Sequence, residues 1–152
     1  MSIVDRSAWQ PMVGDPDDHR PASIWTLVVD PGGGAGRVDG LAVIRERIAP
    51  GDRIPAHIHR DDEVILVHGP GRFRLGDETT SVDDGAVVFI PAGAVHGLAN
   101  DGNESLPIEA VFPTTQVWLR YVERNPAPGT ESDEPQGGAT YDLRTGEVAF
   151  DR

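Results

Sequence analysis

Apolar and polar positions alternate along most of this chain in short runs, each closed by glycine, proline, asparagine or aspartate. "SIWTLVVD" (23–30) reads as a strand that stops at Pro31. From residue 41 the pattern recurs without a break. "LAVIRERI" ends at Pro50-Gly51, "EVILVH" at Gly69-Pro70-Gly71, "RFRL" at Gly76-Asp77, "TTSV" at Asp83-Asp84-Gly85 and "AVVFI" at Pro91. "VHGLA" then ends at Asn100-Asp101-Gly102, "LPIEAVF" at Pro113, and "TQVWLRYV" follows. Strands this short, with turn residues this regularly between them, predict an all-β sandwich or barrel. No amphipathic helix is expected before residue 120, and no internal repeat is present.

The flanks break the pattern. Residues 1–22 read as irregular, with "GDPDDHRP" an acidic, proline-bounded loop. "PGGGAGRVDG" (31–40) is rich enough in glycine to cradle a phosphate, but that use needs a helix N-terminus next in the chain. A strand-like run follows instead, so an inter-strand loop is expected. "NPAPGTESDEPQGGAT" (125–140) reads as a linker or surface loop. "YDLRTGEVAF" after it suggests a small hairpin turning at Arg144-Thr145-Gly146, packed on the sandwich or on a partner subunit. The expected division is an N-terminal segment with one strand (1–40), a barrel core (41–124), a linker (125–140) and a C-terminal hairpin or tail (141–152).

Composition narrows the partners. A chain of 152 residues fits one domain with a real core. Asp and Glu number 25 against 13 Lys and Arg, a net charge of -12, which repels nucleic acid and anionic membranes and makes both unexpected as partners. There is no cysteine, hence neither a disulfide framework nor a thiolate ligand or nucleophile. The N-terminus lacks the basic-then-apolar pattern of a secretion signal, and the best apolar run, "GAVVFIPAGAVHGLA", is broken by Pro91 and Gly93. A cytoplasmic location is the default expectation.

The chemistry concentrates in "PGDRIPAHIHRDDEV" (50–64). His57 and His59 are two apart, so on a strand both rings point to one face, with Cα atoms about 7 Å apart. Glu63 has the same parity but would lie roughly 13 Å further along a continuous strand, too far to share an ion with both. "RDD" (60–62) is turn-prone, so the chain is expected to reverse there in a hairpin that sets Glu63 beside the histidines. His96 follows the Pro91-Ala92-Gly93 turn, which can bring it toward the same cavity.

Two motifs emerge in order. The first reads Gly51, five residues, His57-x-His59, three residues, Glu63, then Gly69 after five more. The second reads Gly85, five residues, Pro91-x-Gly93, two residues, His96, three residues, Asn100. Over residues 41–112 the chain resembles the cupins, departing from their pattern only in the spacer before Gly69, which is one residue short. The resemblance implies a jelly-roll β-barrel (a double-stranded β-helix) with a metal at its centre held by His57, His59, Glu63 and His96, in a domain type that often forms homodimers.

Donor chemistry agrees with that implication. Three imidazoles and a carboxylate suit Fe or Mn, which are favoured here, and also Ni, Co or Zn. Four protein ligands on an octahedral ion leave two positions for a small-molecule substrate, alone or with dioxygen. A metal-dependent enzyme is therefore expected, with dioxygenase-type oxidation first and non-redox isomerase, cyclase or lyase chemistry second. A non-catalytic binder of a small ligand or metal is the reading from another class. His68 has parity opposite to Glu63 and should face away, as surface or interface, and His19 should be solvated. Glu46 shares parity with Ile44 and Ile48 and could line the cavity as a general base, with Arg45 and Arg47 outward; equally, the arginines could face inward to hold a carboxylate. Phe73, Leu75, Val88, Phe89, Ile90, Phe112, Trp118 and Tyr121 include both core and cavity lining.

Overall fold

The structure, a computed structural model, describes residues 8–28 and 40–151. The end of the "SIWTLVVD" run and nearly all of the glycine-rich stretch lie outside the described residues. Among these residues the chain is all strand and turn, with no helix, and so with none long and apolar enough to cross a membrane.

The strands are β1 (Gln10–Met12), β2 (Arg20–Val28), β3 (Ala42–Ile48), β4 (Arg53–His59), β5 (Glu63–Val67), β6 (Gly71–Leu75) and β7 (Glu78–Val82). They continue as β8 (Val87–Ile90), β9 (His96–Ala99), β10 (Leu106–Phe112), β11 (Gln116–Tyr121), β12 (Ala139–Asp142) and β13 (Val148–Phe150). Two antiparallel sheets result, in the orders β1-β2-β3-β10-β5-β8 and β13-β12-β11-β4-β9-β6-β7. This is the expected jelly roll.

Period-two patterning explains how the sheets stack. In β10, Leu106, Ile108, Ala110 and Phe112 are buried, while Pro107, Glu109 and Val111 between them are not. The buried set shares its face with Ile44 and Ile48 of β3 and with Ile65 and Val67 of β5. Phe73, Leu98 and Val117 close the core from the other sheet. Removing this apolar surface from water, at about 25 cal/mol per Å², is the main force holding the sheets together.

The two motif turns are the corners where the chain changes sheet. Residues 60–62 carry it from β4 in one sheet to β5 in the other, and residues 91–95 carry it from β8 to β9 in the opposite sense. The expected hairpin at 60–62 is therefore corrected. The chain does reverse, but β5 pairs with β10 and β8 rather than with β4, so Glu63 meets the histidines across the barrel. Gly93 sits at φ 81°, which an L side chain adopts only with strain, and its N–H donates to the His59 carbonyl at 2.8 Å. The Ala92 N–H donates to Asp62 Oδ1 at 2.9 Å. The two corners thus brace each other.

The flanks are more ordered than their composition implies. Residues 10–12 form β1, and β2 begins at Arg20 rather than at Ser23. Asp17 is fully buried, where it accepts hydrogen bonds from the Arg124 guanidinium and the Gln136 N–H. Arg124 also donates to the carbonyls of Thr130 (2.8 Å) and Asp133 (2.7 Å), so part of the 125–140 segment is tied down. β12 pairs with β11, and β13 pairs with β12 through a turn at 143–145. His19 is not simply solvated. Its N–H donates to the Asn125 carbonyl at 2.9 Å and its ring Nδ1 is buried. Phe89 and Leu75 are neither core nor cavity, at 72% and 37% exposed. Trp118 lies on the outer side of its sheet, under the Arg60 guanidinium, with its indole N–H on Asp151.

Candidate metal centre

The described residues bring together the four side chains singled out from the sequence. His57 and His59 project inward from β4, and His96 of β9 pairs in register with His57. Glu63 opens β5 in the facing sheet. All four are buried, and one potential ligand atom from each lies within 4.8 Å of the others. Glu63 Oε2 is 2.8 Å from His96 Nε2 and 3.6 Å from His59 Nε2.

The outer nitrogen of each ring fixes which nitrogen faces inward. His57 Nδ1 lies 2.8 Å from the Pro55 carbonyl, His59 Nδ1 2.9 Å from the Trp118 carbonyl, and His96 Nδ1 3.0 Å from the Ala94 carbonyl. A carbonyl only accepts, so each Nδ1 carries a proton, and in the neutral ring each Nε2 presents a lone pair to the centre. Backbone carbonyls holding the rear of metal-binding imidazoles in this way are a general device for orienting them. Burial, with the neighbouring His96 and His59 charges adding to it, pushes the His57 pKa well down. Burial lowers His59 as well, against the opposing pull of Glu63. Neutral imidazole is the form that binds a cation.

The centre also has an unmet need. Glu63 Oε2 and His96 Nε2 are buried without a hydrogen-bond partner. Stranding such atoms costs about 1–3 kcal/mol each. Three inward lone pairs, one carboxylate and two orphaned atoms fit a divalent cation, and this cluster could hold one. Phe112, 5.0 Å from the His59 ring, and Phe73, 6.5 Å from the His96 ring, wall it with apolar surface.

Asn100, the last residue of the second motif, is buried but serves the scaffold. Its Nδ2 donates to the Ile48 and Glu104 carbonyls, both at 2.8 Å, and its Oδ1 accepts from the Gly102 N–H. His68 is exposed and only loosely paired with Glu109, as its parity predicts. Of the two orientations weighed for β3, the structure has the first. Glu46 faces inward opposite Ile108, whereas Arg45 pairs outside with Glu109 and the Arg47 guanidinium stacks on Trp9.

Sequence reasoning missed Arg20 and Asp18. Arg20 is buried, bound through Nε and Nη2 to both Asp18 oxygens at 2.6 and 2.7 Å and through Nη1 to Glu46 at 3.2 Å. Burial opposes its charge, but Glu46 and Asp18 outweigh burial and raise its pKa. Nothing in its proline- and aspartate-rich surroundings marks it as interior. Tyr121, in register with His57, faces the same space, and burial raises its pKa well above the ordinary value.

Residues 44–112 match the family model described as the cupin domain. This stretch is a cupin domain. All four candidate ligands of the cupin domain fall inside the match. Across nearly its whole length the chain is similar in fold to the polyketide cyclase RemF from Streptomyces resistomycificus, with TM-score 0.61, 21% identity, and coverage of 95% of this chain and 90% of that one. It is also similar in fold to salicylate 1,2-dioxygenase from Pseudoaminobacter salicylatoxidans, with TM-score 0.55, 19% identity, and coverage of 66% of this chain and 27% of that one. In sequence it is 32% identical over 83 residues to a mannose-1-phosphate guanylyltransferase from Salmonella muenchen, a match that takes in 53% of this chain and 17% of that protein. The chain thus spans well under two thirds of the guanylyltransferase and of the dioxygenase.

Proposed function

We propose that this cupin is a metal-dependent enzyme that binds one divalent ion at His57, His59, Glu63 and His96 and acts on a small organic molecule. The observation that carries the reading is the set of three Nε2 lone pairs and one carboxylate converging in a buried, partly aromatic pocket, with every rear nitrogen anchored to a carbonyl.

Within that reading, oxidation of a small chelating substrate by dioxygen comes first. A bound Fe(II) or Mn(II) would supply adjacent coordination positions for substrate and dioxygen. The chain's own part is to orient the imidazoles and hold bulk water away from the centre. The fold likeness to a dioxygenase supports this choice. Metal-assisted non-redox chemistry is the second reading, favoured by the likeness to the polyketide cyclase, which extends over nearly the whole of both chains.

The test is reconstitution with Fe(II) without oxygen, followed by a chelating diol such as catechol. The expected result is a change in the metal's absorption spectrum on binding, then dioxygen consumption when air is admitted. A natural substrate turned over at full rate without oxygen would remove the oxidase reading in favour of the non-redox one. A protein that takes up no metal would remove both.

A further inference from the structure

The outer face of the second sheet carries a cationic groove that takes no part in the candidate metal centre. It is a cavity of about 240 Å³ over β4, β9 and β6. Strand register fixes its layout. Ala99 of β9 stands between Arg53 of β4 and Arg72 of β6, and Gly97 stands beside Arg74. Successive side chains on a strand point to opposite faces, so these positions face outward, while His96, Leu98 and Phe73 between them are buried in the barrel. The floor is low because its residues are small, and a Cβ on Gly97 would lie 2.9 Å from the Ile54 carbonyl oxygen. Three guanidinium groups therefore rim a shallow floor.

Such a concentration of positive charge runs against the rest of the chain, whose net charge is -12 and whose 13 basic side chains include no lysine. Glu123 bridges two of the three arginines, with Oε2 3.5 Å from Arg53 Nη1 and Oε1 2.5 Å from Arg74 Nη1. Asp101 lies 3.1 Å from Arg72 Nη2. Three cations against two carboxylates leave the groove positive. Among the described residues, Arg72 Nε and Nη1 and Arg74 Nη2 have no protein partner. Both carboxylates are solvent-accessible, and exposed pairs of this kind contribute little to stability, so an incoming anion can replace them at small cost.

Glu123 shows the chemistry the groove accepts. Its one carboxylate, with two oxygens, occupies two of the guanidinium groups. A ligand that engages all three needs a third oxygen and more charge. A phosphoryl group has three terminal oxygens and a charge of about -2, and guanidinium forks match its geometry. We propose that this groove binds the phosphoryl group of a small phosphate monoester, held by Arg53, Arg72 and Arg74 with Glu123 displaced. Thr79 of β7, cross-strand from Arg74, lines the same cavity and adds a hydroxyl donor. The site is separate from the candidate metal centre, because the thickness of the sheet lies between them.

The experiment is calorimetric titration of the full chain with inorganic phosphate and with glycerol 3-phosphate, as purified and again after EDTA treatment. Each should bind saturably, once per chain, equally with and without EDTA, and more weakly as sodium chloride is added. Arg72→Gln and Arg74→Gln should each weaken binding about tenfold. Glu123→Gln removes the competing carboxylate and should tighten binding several-fold, which damage to the fold would not do. Arg120→Gln, an exposed arginine outside the cavity lining, should bind like the wild type. Acetate, with two oxygens and one charge, should bind at least about tenfold more weakly than phosphate. If Arg74→Gln does not fold, Arg72→Gln, at a side chain 54% exposed, and Glu123→Gln carry the test. Absence of binding to the wild type overturns the proposal, as does unchanged binding in the arginine variants or in Glu123→Gln. Binding lost with EDTA would put the phosphate on a metal ion, and acetate as tight as phosphate would remove the phosphoryl assignment. A glutamate-rich peptide that binds through the same arginines more tightly than glycerol 3-phosphate would make the groove a docking surface for an acidic protein instead.

Discussion

Cutting the buried tie between Asp17 and Arg124 should destabilise the fold well beyond the effect of an ordinary surface change. Asp17 is fully buried, and its two carboxylate oxygens bind the Arg124 guanidinium and the Gln136 N–H. Asp17→Ala removes both bonds and leaves a mostly buried guanidinium without its carboxylate. Removing one partner of a buried pair costs about 3–5 kcal/mol. The lower end applies, since Arg124 keeps the carbonyls of Thr130 and Asp133. At roughly 2–4 °C per kcal/mol for a chain of this size, Tm should fall by about 6–12 °C. The assay is thermal melting followed by circular dichroism, with Glu134→Ala, an exposed carboxylate on the same segment, as a control expected within about 0.5 kcal/mol of wild type. Asp17→Ala/Arg124→Met should melt above the single variant, because the stranded charge is gone. A single variant that melts within about 2 °C of wild type would refute the reasoning, since the segment would then be held by backbone contacts alone.

Replacing His96 with alanine should abolish metal uptake, read by elemental analysis, while the metal-free protein keeps its β-type circular dichroism. Metal at about a hundredfold over Kd should stabilise the wild type by about 2.7 kcal/mol, seen as a raised Tm, and should leave His96→Ala unmoved. Leu98→Ala, at a core position 2% exposed, should cost about 2–5 kcal/mol in denaturant unfolding. The exposed edge of β8, with Phe89 at 72% and Val87 at 50% exposed, is where we expect a homodimer to form; light scattering should give twice the chain mass, and Phe89→Glu should halve it.

The parts of this fold legible in the sequence were those with strong local alternation. In β10 every second residue is buried, and parity placed Glu46 correctly as one of two options on β3. Phe89 could have been placed by the same logic, since it lies between the inward Val88 and Ile90. The change of sheet at 60–62 was not legible, because a reversal dictated by spacing carries no record of which neighbour the next strand will choose. The trio of Asp18, Arg20 and Glu46 and the tie from Asp17 to Arg124 escaped for a related reason. Their partners stand far apart in sequence, and a stretch of Asp, Pro and Gly looks solvated until a distant arginine is placed against it.

The division of the candidate ligands between the sheets, Glu63 on one and three histidines on the other, has a kinetic consequence. Neither sheet alone carries the full constellation, so an ion could find its complete set only after the two layers have stacked. Binding energy that arises so late is absent from an early transition state. A bound ion would then slow unfolding far more than it speeds folding. On this view the ion behaves as a latch between finished layers, lengthening the lifetime of the native state without helping the chain to reach it.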